Sequence, residues 1–529
     1  MVTPPMPTTN ASDNVGPTAR ADASTKRGTL VAMILASGIV FLDSTVVNVA
    51  LPAIGRELHV GLSGLQWIVD GYALMLAALL IVGGSLGDHY GRKRLLTIGL
   101  VGFGLASVAC GLAPSSAVLI IARMAQGVAG ALLVPEGLAI LSAVFDNDAE
   151  RGQAIGAWTA WGGSVAVIGP FLGGALVDHA AWRWVFFINV PLILVTLLLV
   201  AHFVPETRDT EAPKRLDFLG AALAILGLGG LSYGLIEGPN RGWASPAILA
   251  ALIGGAVVVA LFVVVEARVR SPMVPLVLFK VRNFSGANLA TLGVYAALAG
   301  AGFLIVIYVQ NVLHYSALAA GATLLPLSAM MLLFASRFGK LSGRYGPRRF
   351  MAVGPLLMGI GFLLAFLLRP GASYWTALFP AAILLGAGLC ITVAPLTSTV
   401  MGSVPPHNTG IASAINNVAA RVAGLLAVAG LGVVVSLAFT TGLNERARGL
   451  PPTAAAFVQD AVKTGSGIAP KGAPPEAITA VADAYTIAFH RAMLACAVLA
   501  FASGLVALAI IRDPPREAEH MPAHIAAEG

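Results

Sequence analysis

Charge is what this sequence has least of: Asp, Glu, Lys and Arg together make 11% of the 529 residues, against about a quarter in soluble domains. Hydrophobic residues make 57% and the mean hydropathy is +0.85, so the chain reads as a polytopic membrane protein. Cysteine is nearly absent. Cys110, Cys390 and Cys496 fall in apolar segments, with no CxxC and no Cys/His cluster of zinc spacing, which predicts neither structural disulfides nor a metal. No GxxxxGK[ST] phosphate loop or HExxH pair occurs, so no ATPase or zinc hydrolase is marked. The nine histidines are dispersed, whereas a membrane enzyme needs acids or histidines gathered at one interface. The formal charge of +7 is scattered between apolar spans, which disfavours nucleic acid as a partner.

What the sequence does have is long apolar runs. About 20 apolar residues cross a bilayer, and segments of that kind predict about 14 helices, from 29–52 through 410–440 to 488–511. Residues 1–28 read as a disordered cytoplasmic tail ahead of an uncleaved first helix. If that tail is cytoplasmic, roughly 20 of the 32 Lys and Arg fall on the inner side and about 8 outside, which supports both termini inside. The expected location is the inner, cytoplasmic membrane. The one long outer segment is 441–487, where an Ala-rich stretch between two loops suggests a short helix, and 512–529 reads as a cytoplasmic C-terminal tail.

An internal repeat sets the architecture. Gly84, Leu86, Tyr90, Gly91 and Arg94 of GSLGDHYGRKR return as Gly339, Leu341, Tyr345, Gly346 and Arg349 of GKLSGRYGPRR, an offset of about 255 residues, near half the chain. Two six-helix halves follow, 29–204 and 283–511, joined by a linker 205–282 that carries two extra membrane helices. The chain is therefore expected to be all-α, with a substrate site between the halves near mid-membrane.

The motifs point further. GSLGDHYGRKR resembles the loop signature GxLxDxxGRKxx of the major facilitator superfamily over its whole length. The first helix carries LDSTVVNVALP, the fourth ARMAQGVAGALLVP and the fifth IGPFLGGALVD, which resemble signatures of the 14-helix drug:proton antiporters of that superfamily, the last through Gly169, Pro170, Gly173 and Gly174. The resemblance covers about Thr29 to Ile511. It implies the major facilitator fold and export of lipophilic, often cationic, drug-like molecules against protons, with no cofactor besides the proton. It also implies that Asp88 and Arg92, with Glu150 and Arg151 of the next inner loop, form a charge network that sets conformation. The second copy has Gly343 in place of Asp88, so no equivalent lock is expected there. The chain is taken to act as a monomer in the lipid bilayer, and a need for an accessory periplasmic partner stays open.

Asp43 is the energetic anomaly. It stands alone in a charge-free run from Leu30 to Pro52, at a cost of about 3 kcal/mol or more. Arg123 of the fourth helix falls at a similar depth, so the two are expected to pair and thereby relieve both desolvation penalties. Movement of the fourth helix during alternating access would then switch Asp43 between holding and releasing a proton; the alternative is a static pair that only fixes packing. Asp70 is a second candidate proton site, or a carboxylate that attracts cations. Glu136, Trp158, Trp161, Asn189 and Arg421 are candidates for the substrate cavity, while Asn48, Asn288, Asn416 and Asn417 fit helix-to-helix hydrogen bonds better. In the fifth helix Pro170 removes a backbone donor and the flanking glycines bare a face for close packing, a seal or a hinge. A proton-coupled importer remains a competing reading, although the fifth-helix signature resembles that of exporters.

Overall fold

A computed structural model describes residues 22–145, 147–208, 217–269, 272–405, 408–464 and 472–513. Most of the tail expected over 1–28 and nearly all of that over 512–529 lie outside the described residues. The first half is built from α1 (Ala23–Leu58), α2 (Leu62–Tyr90), α3 (Arg92–Gly111), α4 (Ser116–Val144), α5 (Asp148–His179), the single turn α6 (Trp184–Phe187) and α7 (Asn189–Phe203). Two linking helices follow, α8 (Phe218–Arg241) and α9 (Pro246–Glu266). The second half holds α10 (Arg282–Asn311), the short α11 (Ala317–Ala322), α12 (Leu325–Tyr345), α13 (Pro347–Leu364), α14 (Phe379–Gly402), α15 (Thr409–Ala447), α16 (Pro452–Thr464) and α17 (Pro475–Ile510). Among the described residues 13 helices are long and apolar enough to cross a membrane, and α5, with 32 residues, is the fourteenth long helix of the series.

Local chemistry explains where these helices begin. Asp22 caps α1 by accepting the Thr25 N–H at 2.7 Å, so the helix starts ahead of Lys26 and Arg27 rather than after them. Within 441–487 the helices reach in from both ends: α15 runs to Ala447 and α17 begins at Pro475. Glu476 and Asp483 lower the hydropathy there, yet Ala477, Ala480, Val481 and Ala484 recur at helical spacing and bury against Ala454 and Val458 of α16. Helix there is set by packing on a neighbour rather than by membrane hydropathy.

The repeated motif closes the same end of each half in the same way. Gly91 and Gly346 both take positive φ, +107° and +85°, a backbone that only glycine adopts cheaply. Each begins the helix that follows, and each lies beneath a carboxylate from the end of its own half. Glu206 accepts the backbone N–H of Lys93 at 3.0 Å and of Arg94 at 3.2 Å. Asp513 accepts that of Arg348 at 2.9 Å. Acidic groups at helix N-termini satisfy otherwise orphaned donors and complement the helix dipole.

The halves join at the end opposite the motif. One apolar core runs through both there, from Val46, Ile54, Leu65 and Phe186 to Phe303, Tyr308, Phe439 and Tyr485. At the motif end the cores are separate, one around Met33, Leu80, Leu100 and Ile140 in the first half and one around Phe284, Met351, Leu396 and Ile415 in the second. The structure is therefore shut at one end and parted at the other. Helix α8 bridges them, packing on α9 and touching both α2 and α15.

Candidate functional site

Asp43 and Arg123 pair in the interior of the first half. Arg123 Nη1 donates to Asp43 Oδ2 at 2.5 Å, and the residues are 0% and 1% exposed. The other carboxylate oxygen is also occupied: Oδ1 accepts Gln126 Nε2 at 2.8 Å and Asn189 Nδ2 at 3.0 Å. Both amides also donate to Ser107 Oγ, at 2.9 and 3.2 Å. Arg123 spends Nε on the Ile68 carbonyl at 3.1 Å and lays its guanidinium over the Tyr72 ring, 4.2 Å from its centroid. A buried ion pair recovers its desolvation cost only when the remaining lone pairs and protons are bonded too, and here α1, α2, α3, α4 and α7 all contribute.

Sequence reasoning reached Asp43 and Arg123 but not this shell. Gln126 follows Arg123 by three residues, so both lie on one face of α4, a signal present in ARMAQG. Ser107 and Tyr72 gave none. Asn189 was assigned to the cavity, whereas it opens α7 after the break at Ile188 and lies in the Asp43 cluster.

The remaining candidates scatter. Asp70 is 1% exposed and, among the described residues, neither carboxyl oxygen has a hydrogen-bond partner. Glu136 is 1% exposed, packs where a side chain on Gly87 would stand, and leaves Oε1 unbonded. That places it beside the motif, within electrostatic reach of Asp88 and Arg92, rather than with the Asp43 cluster. Trp158 donates from Nε1 to Ser37 Oγ at 2.8 Å, while Trp161 is 58% exposed. Asn416 bonds Asn288 and Thr291 across to α10, the helix-to-helix role expected of it; Asn48 and Asn417 bond carbonyls of their own helices.

Of the motif charges, Arg92 makes two bonds to Asp88 Oδ1, at 2.9 and 2.7 Å, one turn apart on the chain. Glu150 pairs instead with Lys26 at 2.7 Å. Exposed pairs of that kind contribute about 0–1 kcal/mol.

The fifth-helix glycines lie at two junctions. Gly169 and Gly173 face α1, where a Cβ on Gly173 would lie 3.0 Å from the Val46 carbonyl oxygen. Gly174 faces the other half: a Cβ there would lie 2.5 Å from Leu318 Cα. Gly321 of α11 returns the contact, packed on the Pro170 carbonyl. Beside them Asp178 accepts the N–H groups of Ala317 and Leu318 at 3.0 and 2.8 Å. Gln66 donates to the Val428 carbonyl at 2.6 Å and Gln310 to that of Val49 at 2.9 Å. These bonds and the glycine contacts belong to the shut end.

The major facilitator superfamily model matches residues 33–428. The chain belongs to that superfamily. Multidrug resistance protein Stp of Mycobacterium tuberculosis is 37% identical over 413 residues, 77% of this chain and 75% of that one. The tetracenomycin C resistance and export protein of Streptomyces glaucescens is 33% identical over 486 residues, 88% and 87%. The fold matches the inward-facing, occupied structure of a bacterial homologue of the human lysosomal transporter Spinster, with TM-score 0.64 at 19% identity over 94% of this chain and all of that one. As a superfamily member the chain is a multi-pass membrane transporter, and its relatives are named for drug and antibiotic resistance.

Proposed function

We propose that the protein exports lipophilic drug-like molecules, cations among them, across the cytoplasmic membrane in exchange for protons by alternating access. The observation that carries this is the Asp43–Arg123 pair: a carboxylate fully withdrawn from water, in contact with a cation on a different helix. Protonation of Asp43 would remove one charge from a cluster of five residues and leave Arg123 to its other partners, so the packing of α4 against α1 becomes dependent on the proton. Asp70, to whose oxygens no described residue donates, would be a second proton carrier. Both halves seal at the end that the charge distribution assigns to the outside, which fits a state open to the cytoplasm. The names of relatives divide between multidrug resistance and single antibiotics such as puromycin, methylenomycin A and tetracenomycin C, so a dedicated exporter is the second reading.

The test is ethidium accumulation in inverted membrane vesicles energised with an acid interior, comparing the natural chain with Asp43→Asn at equal membrane expression. Uptake that collapses with a protonophore and is lost in Asp43→Asn supports the reading. Uptake indifferent to both sinks it. A resistance profile against cations, neutral dyes and antibiotics separates multidrug from dedicated export.

A further inference from the structure

Arg421 is a cation in the membrane interior that no described residue neutralises. It is half-buried on α15, and among the described residues it forms no hydrogen bond or ion pair. Its direction follows from its neighbours. Val418 packs against the core that holds Tyr72, Leu76 and Leu80, and Val428 and Gly432 meet Gln66. Positions 418, 421, 425, 428 and 432 recur at three and four residues, so Arg421 lies on the face of α15 turned towards α2. It is seven residues from Val428, about 10 Å from the Gln66 bond towards the parted end. Val418, one turn further towards that end, packs on the core of the first half, so Arg421 lies in the seam between α15 and α2 where the halves meet.

One polar group is near enough to matter, and it does not satisfy Arg421. Tyr72 is within electrostatic reach of Arg421, but its hydroxyl is buried and has no hydrogen-bond partner among the described residues. The Tyr72 ring thus has the Arg123 guanidinium on its face at 4.2 Å and the Arg421 charge in the opposite half. An unneutralised guanidinium at this depth costs several kcal/mol unless a cavity or an anion receives it, and planar guanidinium matches carboxylate-like oxygens better than any other side chain.

We propose that Arg421 is the recognition group for an anionic oxygen on an exported molecule, a carboxylate, sulfonate, enolate or ionised phenol. Tyr72 is the positioning residue that links the occupied site to Arg123 and Asp43. This rests on the export reading for its direction but not for its chemistry. The transporter then handles lipophilic anions through Arg421 and lipophilic cations without it.

The experiment is dye exchange across proteoliposomes of the full chain with no pH gradient, using 8-anilinonaphthalene-1-sulfonate as the anion and ethidium as the cation. Arg421→Gln raises the KM for the sulfonate about tenfold or more and leaves ethidium within about twofold, while Arg421→Lys restores most of the sulfonate exchange. Tyr72→Leu, which removes the ring under the Arg123 guanidinium, shifts the pH profile of gradient-driven transport. Equal losses for both dyes in Arg421→Gln, no loss for either, or natural protein that exchanges ethidium alone or neither dye, each overturn the assignment. An unshifted pH profile in Tyr72→Leu removes the link to Asp43. Sulfonate exchange that depends on Arg421 but is not driven by a pH gradient would leave this site standing and fell the proton-coupled reading instead.

Discussion

Asp178 and Ala317 belong to different halves, yet the carboxylate of one accepts the backbone N–H of the other at 3.0 Å, with Leu318 beside it at 2.8 Å. The bond is available only while the shut end stays shut. Hydrogen bonds to a charged group contribute about 1.5–3 kcal/mol, a large share of the few kcal/mol that separate transporter states. Asp178→Ala is expected to shift the population away from the shut state by about tenfold or more. Labelling of a cysteine placed at Ala320, which is 0% exposed in the shut state, by a membrane-impermeant maleimide measures this, and an unchanged labelling rate counts against the latch.

The glycine contacts make a sharper case because backbone cannot yield. A Cβ on Gly174 would lie 2.5 Å from Leu318 Cα, whereas one on Gly254 meets nothing within 4 Å. Gly174→Ala is therefore expected to hold the two halves apart and cut transport about tenfold or more, with Gly254→Ala near the natural rate. Transport rates at matched membrane expression decide it; equal rates for the two variants refute the steric account.

Glu206 and Asp513 show where sequence legibility stopped. The glycines of the motif were readable because they recur at a constant offset, and both turned out to hold positive φ. The carboxylates that cap them do not share that offset, since α16 and its flanking segments lengthen the second half before Asp513. Symmetry of function was preserved without symmetry of spacing. Likewise Asp43 and Arg123 were legible as charges at matching depth in apolar runs, but Ser107 and Tyr72 are ordinary membrane-helix residues until the helices assemble. Asn189 was visible as a polar residue and not as a ligand of Asp43, because its position depends on the break between α6 and α7.

The caps give a paired prediction. Each carboxylate satisfies backbone donors at a helix start, an interaction of about 0.5–2 kcal/mol. Glu206→Ala and Asp513→Ala are both expected to lower the thermal midpoint of the detergent-solubilised protein. Glu206→Gln and Asp513→Asn, which keep an acceptor oxygen, recover part of the loss. A loss in one half only would mean that the motif ends are not equivalent supports.

Gln126 separates structure from charge in the Asp43 cluster. Its amide donates to Asp43 Oδ1 at 2.8 Å and to Ser107 at 2.9 Å, while its Oε1 accepts from Arg123 Nη1 at 2.7 Å. Gln126→Leu keeps the volume and every formal charge but strips a donor from the carboxylate and an acceptor from the guanidinium. Buried partners left unbonded cost about 1–3 kcal/mol, so the thermal midpoint should fall. The discriminating measurement is the pH profile of transport, which moves in Gln126→Leu if Asp43 carries the proton. A lower thermal midpoint with an unmoved profile would make the cluster a packing element alone.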